Sequence, residues 1–328
     1  MQKEILSLIH KKNNKIKLFT PGPSSLVYEN LHSLEPCFGR GDLQYDKIEK
    51  EVLKNILKIS GHKHIARLQG AASLALEIMI LNYIQGKVLI IQTGVYSDRL
   101  YYMSKTAKKK YNKIKNIDYI NHKNLNDIYK SYDWIMACPV ETSVGFKIPI
   151  SDLNKLKKKC KAQLALDATA SIGLEKGHYL SDIAAFSSCK GLFGLTGGAF
   201  ITFNRKAQNE IPEFNLNIEN HLNKKMTGPY HAICSLKNIL KNYDDFFYAV
   251  KINKEKFCHS AGDKLVYKNI NQPYLCTLVK KKVHKKNKSV VLYESRADII
   301  GSVVCHLGEV HLKNKAKGEI LKNIYFKK

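Results

Sequence analysis

Two residues of opposite charge stand at the ends of neighbouring apolar runs near the middle of this 328-residue chain. Asp167 closes the run Leu164–Leu166. Lys190 follows the run Ile183–Phe186 and opens a loop broken by Gly191, Gly194, Gly197 and Gly198, after which a third apolar run, Ala199–Phe203, begins. An acid and a lysine at adjacent strand ends suit pyridoxal phosphate chemistry. A lysine ε-amine forms a Schiff base with the cofactor aldehyde, and a carboxylate keeps the pyridine nitrogen protonated so that the ring accepts electrons. Taken singly, each residue has a plainer reading. A strand-end Asp is commonly a turn or helix cap, and Lys190 is one lysine among many. Ser187 and Lys190 also fit an S-x-x-K spacing, but no S-D-N or K-T-G accompanies it, and those motifs act only as a set.

The elements that must position this pair read as strands alternating with helices. KVLIIQ (87–92) is a near-continuous apolar run, as expected of a strand covered on both faces. Helical spacing at Ile48, Val52 and Ile56 stops at Gly61. A helix is expected over 73–83, then 97–108, a strand near 117–120, a helix near 125–131, a strand at 134–138, a helix at 151–160 and a strand at 163–167. This alternation predicts an α/β fold, a mostly parallel sheet flanked by helices, with its ligand at the carboxyl ends of the strands. One long helix is expected over 231–255. Beyond about residue 261 short β-rich pieces (LCTLV, VVLYE, GSVVCHL) and a final helix predict a small C-terminal α+β domain. The division expected is an N-terminal arm (1–25), a large α/β domain (26–255) and the small domain (256–328).

Composition excludes several classes. Mean hydropathy is −0.29 and no apolar run approaches the roughly 20 residues of a membrane span. The N-terminus has no signal-peptide pattern. The eight cysteines form no C-x-x-C pair or metal-ligand spacing, so reduced thiols, no metal and a cytoplasmic location are expected. The net charge of +26 comes from lysine: only Arg40, Arg67, Arg99, Arg205 and Arg296 are arginines, and no nucleic-acid-binding module is present. The basic run from Lys280 to Lys288 reads as a solvated loop or hairpin flank. In such a chain an arginine marks a place where a planar, bidentate donor matters.

Around the central pair stand further motifs. Gly70-Ala71-Ala72-Ser73 opens a helix, either as an ordinary helix start or as a phosphate cup in which backbone N–H groups and the helix dipole face a dianion. TGVYSDRL (93–100), ETSVG (141–145), MTGPYHA (226–232) and CHLGEV (305–310) complete the set. Together these segments resemble the class V, fold-type I aminotransferases, and among them the 2-aminoethylphosphonate–pyruvate transaminases. The resemblance implies a homodimeric pyridoxal 5'-phosphate enzyme that moves an amino group between a small amine or amino acid, such as 2-aminoethylphosphonate or alanine, and a 2-oxo acid or aldehyde. It implies Lys190 and Asp167 as catalytic residues, Gly70, Ala71, Ala72 and Ser73 around the phosphate, Tyr96 over the pyridine ring, Thr142 at the phenolic oxygen or at Asp167, and Thr227 reaching the phosphate of the neighbouring subunit. This chain departs from the family at three places. Cys189 stands where Asn or Gln precedes the lysine, Pro139 where a histidine is common, and Val303 where an arginine clamps the substrate carboxylate. Arg40, in FGRGD, is the expected replacement clamp, with Arg296 as the other candidate. A lyase or desulfurase on the same fold, with Cys276 or Cys305 as its thiol, or a catalytically reduced scaffold are the competing readings.

Overall fold

The computed structural model describes residues 2–35, 38–267 and 269–327. A central sheet of seven strands organises it: β1 (His64–Gln69), β2 (Gly86–Gln92), β3 (Ile114–Asn121), β4 (Trp134–Ala137), β5 (Gln163–Asp167), β6 (Ile183–Ser187) and β7 (Gly198–Phe203). Their order is β1-β7-β6-β5-β4-β2-β3. All neighbours are parallel except β7, which runs antiparallel between β1 and β6.

The apolar runs are continuous because both faces of the sheet are covered. On one face Leu89, Ile91, Ile135, Leu164, Leu166, Phe186 and Phe200 pack with the helices Leu43–Ser60 and Ile150–Lys159. On the other, Val88, Ile90, Met136, Ala165, Ile183, Ala185 and Ile201 meet the helices Ala72–Tyr83 and Val95–Tyr111. Successive residues of each strand thus serve opposite layers, and each large buried side chain contributes roughly 1.5–3 kcal/mol. Asp42 caps the helix Leu43–Ser60 by accepting from the amides of Gln44 and Tyr45, and Gly61, at φ 72°, ends it.

Two expected helices differ. Over 125–131 there is only a 3-10 turn, His122–Asp127, capped by Asn121; the segment holds few apolar residues, and Ile128 alone sinks into the core. The long helix expected over 231–255 is three pieces, Tyr230–Cys234, Lys237–Lys241 and Tyr243–Ala261. The first break comes where the Ser235 hydroxyl accepts the Leu195 amide and ties the chain to the loop after Lys190; the second falls at Asn242, with φ −113° and ψ 31°.

Short strands dominate the C-terminal part. Cys276–Val279 pairs antiparallel with Ser302–Cys305, and Val283–Lys285 with Ile324–Phe326. The last helix, Glu319–Asn323, has five residues. The N-terminal helix Gln2–Lys15 leads into Lys17–Phe19, which pairs in parallel with Val290–Leu292 and so joins the C-terminal elements. The run from Lys280 to Lys288 is almost wholly exposed.

Candidate active site

A cleft of about 670 Å³ opens at the carboxyl ends of the central strands, and Asp167 and Lys190 both line it. Asp167 ends β5 opposite Ala185 of β6, and only 3% of it is exposed. Its Oδ1 accepts from the Thr169 amide (3.0 Å) and hydroxyl (2.5 Å), which fixes the carboxylate plane and leaves Oδ2 toward the cleft without a partner among the described residues. Lys190 leaves the loop just after β6. The Lys190 carbonyl accepts the Phe193 amide, and the Ser188 hydroxyl donates back to Gly198.

The N-terminal segment closes over this loop. The Ser24 amide donates to the Cys189 carbonyl (2.7 Å) and its hydroxyl to that of Lys190 (3.2 Å). Gly22 lies so close that a Cβ there would stand 2.9 Å from the Lys190 Cγ, and its φ of 125° excludes a side chain as well. The lysine is held by its stem while the amine reaches the Tyr96 ring, 5.3 Å from the centroid.

Tyr96 is placed by a carboxylate. Glu141, fully buried, accepts from the amides of Tyr96 (3.0 Å) and Ser97 (3.3 Å) at the start of the helix Val95–Tyr111, and from the Ser143 amide and hydroxyl. Burial pushes its pKa up against these hydrogen bonds. An anion there matches the positive end of the helix. Gly94 permits the approach: a Cβ would meet the Ser143 hydroxyl at 2.8 Å. Next to Glu141, the Thr142 hydroxyl is buried, lines the cleft and has no partner among the described residues.

Gly70, Ala71, Ala72 and Ser73 form another wall. The Gly70 amide donates to Gly197 (2.9 Å), Ala71 is extended, and the helix begins at Ala72 with no side-chain cap. The Leu74 amide donates to the Ala71 carbonyl, which leaves the amides of Ala72 and Ser73, two cleft-lining residues, unclaimed by the helix, as an anion requires.

The structure brings Lys190, Asp167, Tyr96, Thr142 and residues 70–73 to one cleft; Arg40 and Thr227 are not among its lining residues. Arg40 is exposed and donates to the Lys225 carbonyl (3.3 Å), while nearby Asp42 caps a helix. Thr227 is exposed on a loop whose Gly228 rests on the guanidinium of buried Arg67, itself paired with Glu49. Val303 is buried opposite Leu278 in the strand pair and packs as core. Cys276 and Cys305 stand opposite each other there, fully buried; burial pushes the Cys276 thiol up to about 12 and that of Cys305 well above its usual value. Neither suits a desulfurase thiol, which must be mobile and reactive.

Sequence reasoning missed Thr169, the anchoring role of Glu141, the cover formed by residues 20–23, and Tyr293. Only the first left a readable signal, a hydroxyl two residues after a strand-end Asp.

A doubly covered, mostly parallel sheet with a lysine and a carboxylate converging at its strand ends defines an enzyme of amine chemistry. The aminotransferase class-V family model matches residues 28–227, and the chain belongs to this family. It is 24% identical over 253 residues to a 2-aminoethylphosphonate–pyruvate transaminase of Pseudomonas aeruginosa, which covers 70% of this chain and 68% of that protein. Its fold matches the ureidoglycine–glyoxylate aminotransferase of Bacillus subtilis (TM-score 0.75, 14% identity, 92% of this chain and 90% of that one). The alanine–glyoxylate aminotransferase of Nostoc sp. superposes equally well (TM-score 0.75, 17% identity, 92% of each chain). The architecture is that of the fold-type I aminotransferases, and aminotransferase is the activity that family membership assigns.

Proposed function

We propose that this protein is a cytoplasmic, homodimeric aminotransferase that uses pyridoxal 5'-phosphate to move an amino group between a small amino compound and a small oxo acid or aldehyde. The observation that carries the cofactor is the fit of the cleft: a free helix N-terminus on one wall, an unpartnered Thr142 hydroxyl on another, and a fixed carboxylate beside a tethered lysine. When bound, the cofactor supplies an aldehyde that condenses with primary amines and a ring that takes up the electron pair of a broken Cα–H bond.

The chain's own residues do the rest. The amides at residues 71–73 and the Ser73 hydroxyl hold the phosphate. The Tyr96 ring packs against the pyridine face, and its position follows from Glu141. Asp167 Oδ2 holds the proton on the pyridine nitrogen, with Oδ1 locked by Thr169. Lys190 Nζ would hold the cofactor through its aldehyde and would serve as general base and acid for the substrate Cα proton, work that needs a group within hydrogen-bond reach. Thr227, exposed on its loop, serves the phosphate of a second subunit.

Screening amines and oxo acids against the purified protein tests this reading. Expected is a yellow protein bleached by a donor, alanine or 2-aminoethylphosphonate among those tried, and restored by an oxo acid. A colourless protein that takes up no added cofactor would overturn it.

A further inference from the structure

A second cavity, of about 470 Å³, lies apart from the cleft and shares no lining residue with it. The N-terminal helix Gln2–Lys15 forms one wall, the helix Tyr243–Ala261 another and residues 310–317 a third. The His311 ring lines it, only 4% exposed, and its Nε2 has no hydrogen-bond partner among the described residues. Burial pushes the imidazole down to about 4, against a hydrogen bond with the Gly308 backbone, so the ring is neutral near pH 7. A bond that favours the charged ring is one in which the ring donates, here through Nδ1 to the carbonyl. Nε2 is therefore a bare lone pair, and an interior acceptor without a donor is costly.

The other walls say which donor suits it. Ile9, Val27 and Leu312 are buried and apolar, while Glu29 and Asp245 bring carboxylates. The chain already seats a cation here: Lys315 Nζ lies over the Phe246 ring, 4.6 Å from its centroid, and 3.9 Å from Glu29 Oε1. The Asp245 carboxylate has no partner among the described residues, and Lys317, the other ammonium, is exposed. An anion would face both carboxylates and still leave Nε2 without a donor; an ammonium answers both. The cavity is also tied to the cover over the Lys190 loop. The Asn13 side chain donates to the carbonyls of Leu26 (2.8 Å) and His311 (3.0 Å) and accepts the Ser25 hydroxyl (2.6 Å), one residue from Ser24, which is bonded to Cys189 and Lys190. We propose that this cavity is an effector site for a small protonated amine with an apolar body, its N–H donating to His311 Nε2 and its charge facing Asp245, and that occupancy steadies the cover of the cleft.

Calorimetric titration of the cofactor-loaded protein with N,N-dimethylbenzylamine tests it. A tertiary amine cannot condense with an aldehyde, so capture by the cofactor does not enter the measurement. Saturable binding is expected. His311→Phe keeps a ring and loses the acceptor, and is expected to raise the Kd about tenfold while leaving that of benzyltrimethylammonium, which has no N–H, unchanged. Asp245→Asn, at an exposed position, is expected to raise both about threefold. Absence of saturable binding, or a Kd for N,N-dimethylbenzylamine that neither variant changes, would remove the site. Equal affinity for phenylacetate would overturn its preference for a cation. Hydrogen exchange reads the coupling: the peptide spanning residues 20–27 is expected to exchange several-fold more slowly at saturating amine. Unchanged exchange there with the amine bound would overturn the effector role. The site needs no cofactor, so a colourless protein that still binds the amine through His311 sinks the aminotransferase reading and keeps the cavity.

Discussion

At the scale of residues the proposed site consists of one reactive side chain and several that hold something still. Lys190→Ala is expected to abolish the visible absorbance of the bound cofactor, and borohydride reduction of the parent should label the Lys190 peptide. A label on another lysine would refute the assignment. Asp167→Asn is expected to retain cofactor and lose turnover by orders of magnitude, because an amide cannot hold the ring proton; single-turnover kinetics beside cofactor occupancy checks it. Thr169 should report the same effect more weakly, through the orientation of Asp167. The pair was legible in the sequence because it combines two rare coincidences, an acid and a lysine each at the end of an apolar run, followed by glycines. Arg40 does not line its own cleft, because sequence proximity to the lead-in segment says nothing about which side of a helix start faces it. Arg296 was already a candidate, whereas Tyr293 was obscure for a different reason: both line the cleft, and Ser295 between them is stitched to Ser143, far away in the chain.

At the scale of elements, the helix Val95–Tyr111 hangs on Glu141. Glu141→Gln keeps one acceptor and turns an NH₂ group toward amide donors, leaving buried polar groups unsatisfied. A loss of about 1–3 kcal/mol is expected in urea denaturation, with weakened cofactor affinity as Tyr96 shifts. A second carboxylate, Glu309, is fully buried and accepts the Ile320 amide (3.1 Å); burial pushes its pKa up to about 7. An acid whose folded pKa lies above its unfolded value keeps its proton only in the folded state between the two. Stability from this group therefore falls as pH rises from about 4.5 to about 7, by about 3 kcal/mol in all. Thermal melts of Glu309→Gln against the parent should show the variant gaining stability above pH 7 and matching it near pH 4.5. The strands and the covered helices were legible because apolar continuity and helical spacing are strong local signals. The break at Ser235 was not, since the residues on both sides keep helical spacing and the tie from Leu195 to the Ser235 hydroxyl comes from a distant loop. The C-terminal strands were readable as pieces. Their pairing with Lys17–Phe19 was not, because strand partners distant in sequence leave no mark in either segment.

For the whole molecule we propose that the site is completed by a second copy. The loop bearing Thr227 is braced on Arg67 and Glu49, with Lys224 also on Glu49 and Tyr230 against Tyr45, yet Thr227 itself points to no part of its own cleft. Sedimentation is expected to give a dimer, and Thr227→Ala to weaken cofactor binding several-fold without dissociating it; a stable monomer with full cofactor occupancy would contradict this. The proposed division at residues 255 and 256 falls within the helix Tyr243–Ala261, and the part beyond that helix carries Tyr293 and Arg296 and is joined to the arm 1–25 through Lys17–Phe19. The place of β7 in the sheet bears on how such a chain is born. β1, the strand that leads into Gly70, has β7 as its only strand neighbour among the described residues, and the Gly70 amide is met by Gly197. During synthesis β1 emerges early and stays without this partner until residue 203 has left the ribosome. Closing so long a loop is slow, and a bare strand edge invites other chains meanwhile. On the proposed reading, residues 70–73 and the lysine loop are therefore joined by one late event, and the nascent chain lacks the cofactor site until the strand linking the two is laid down.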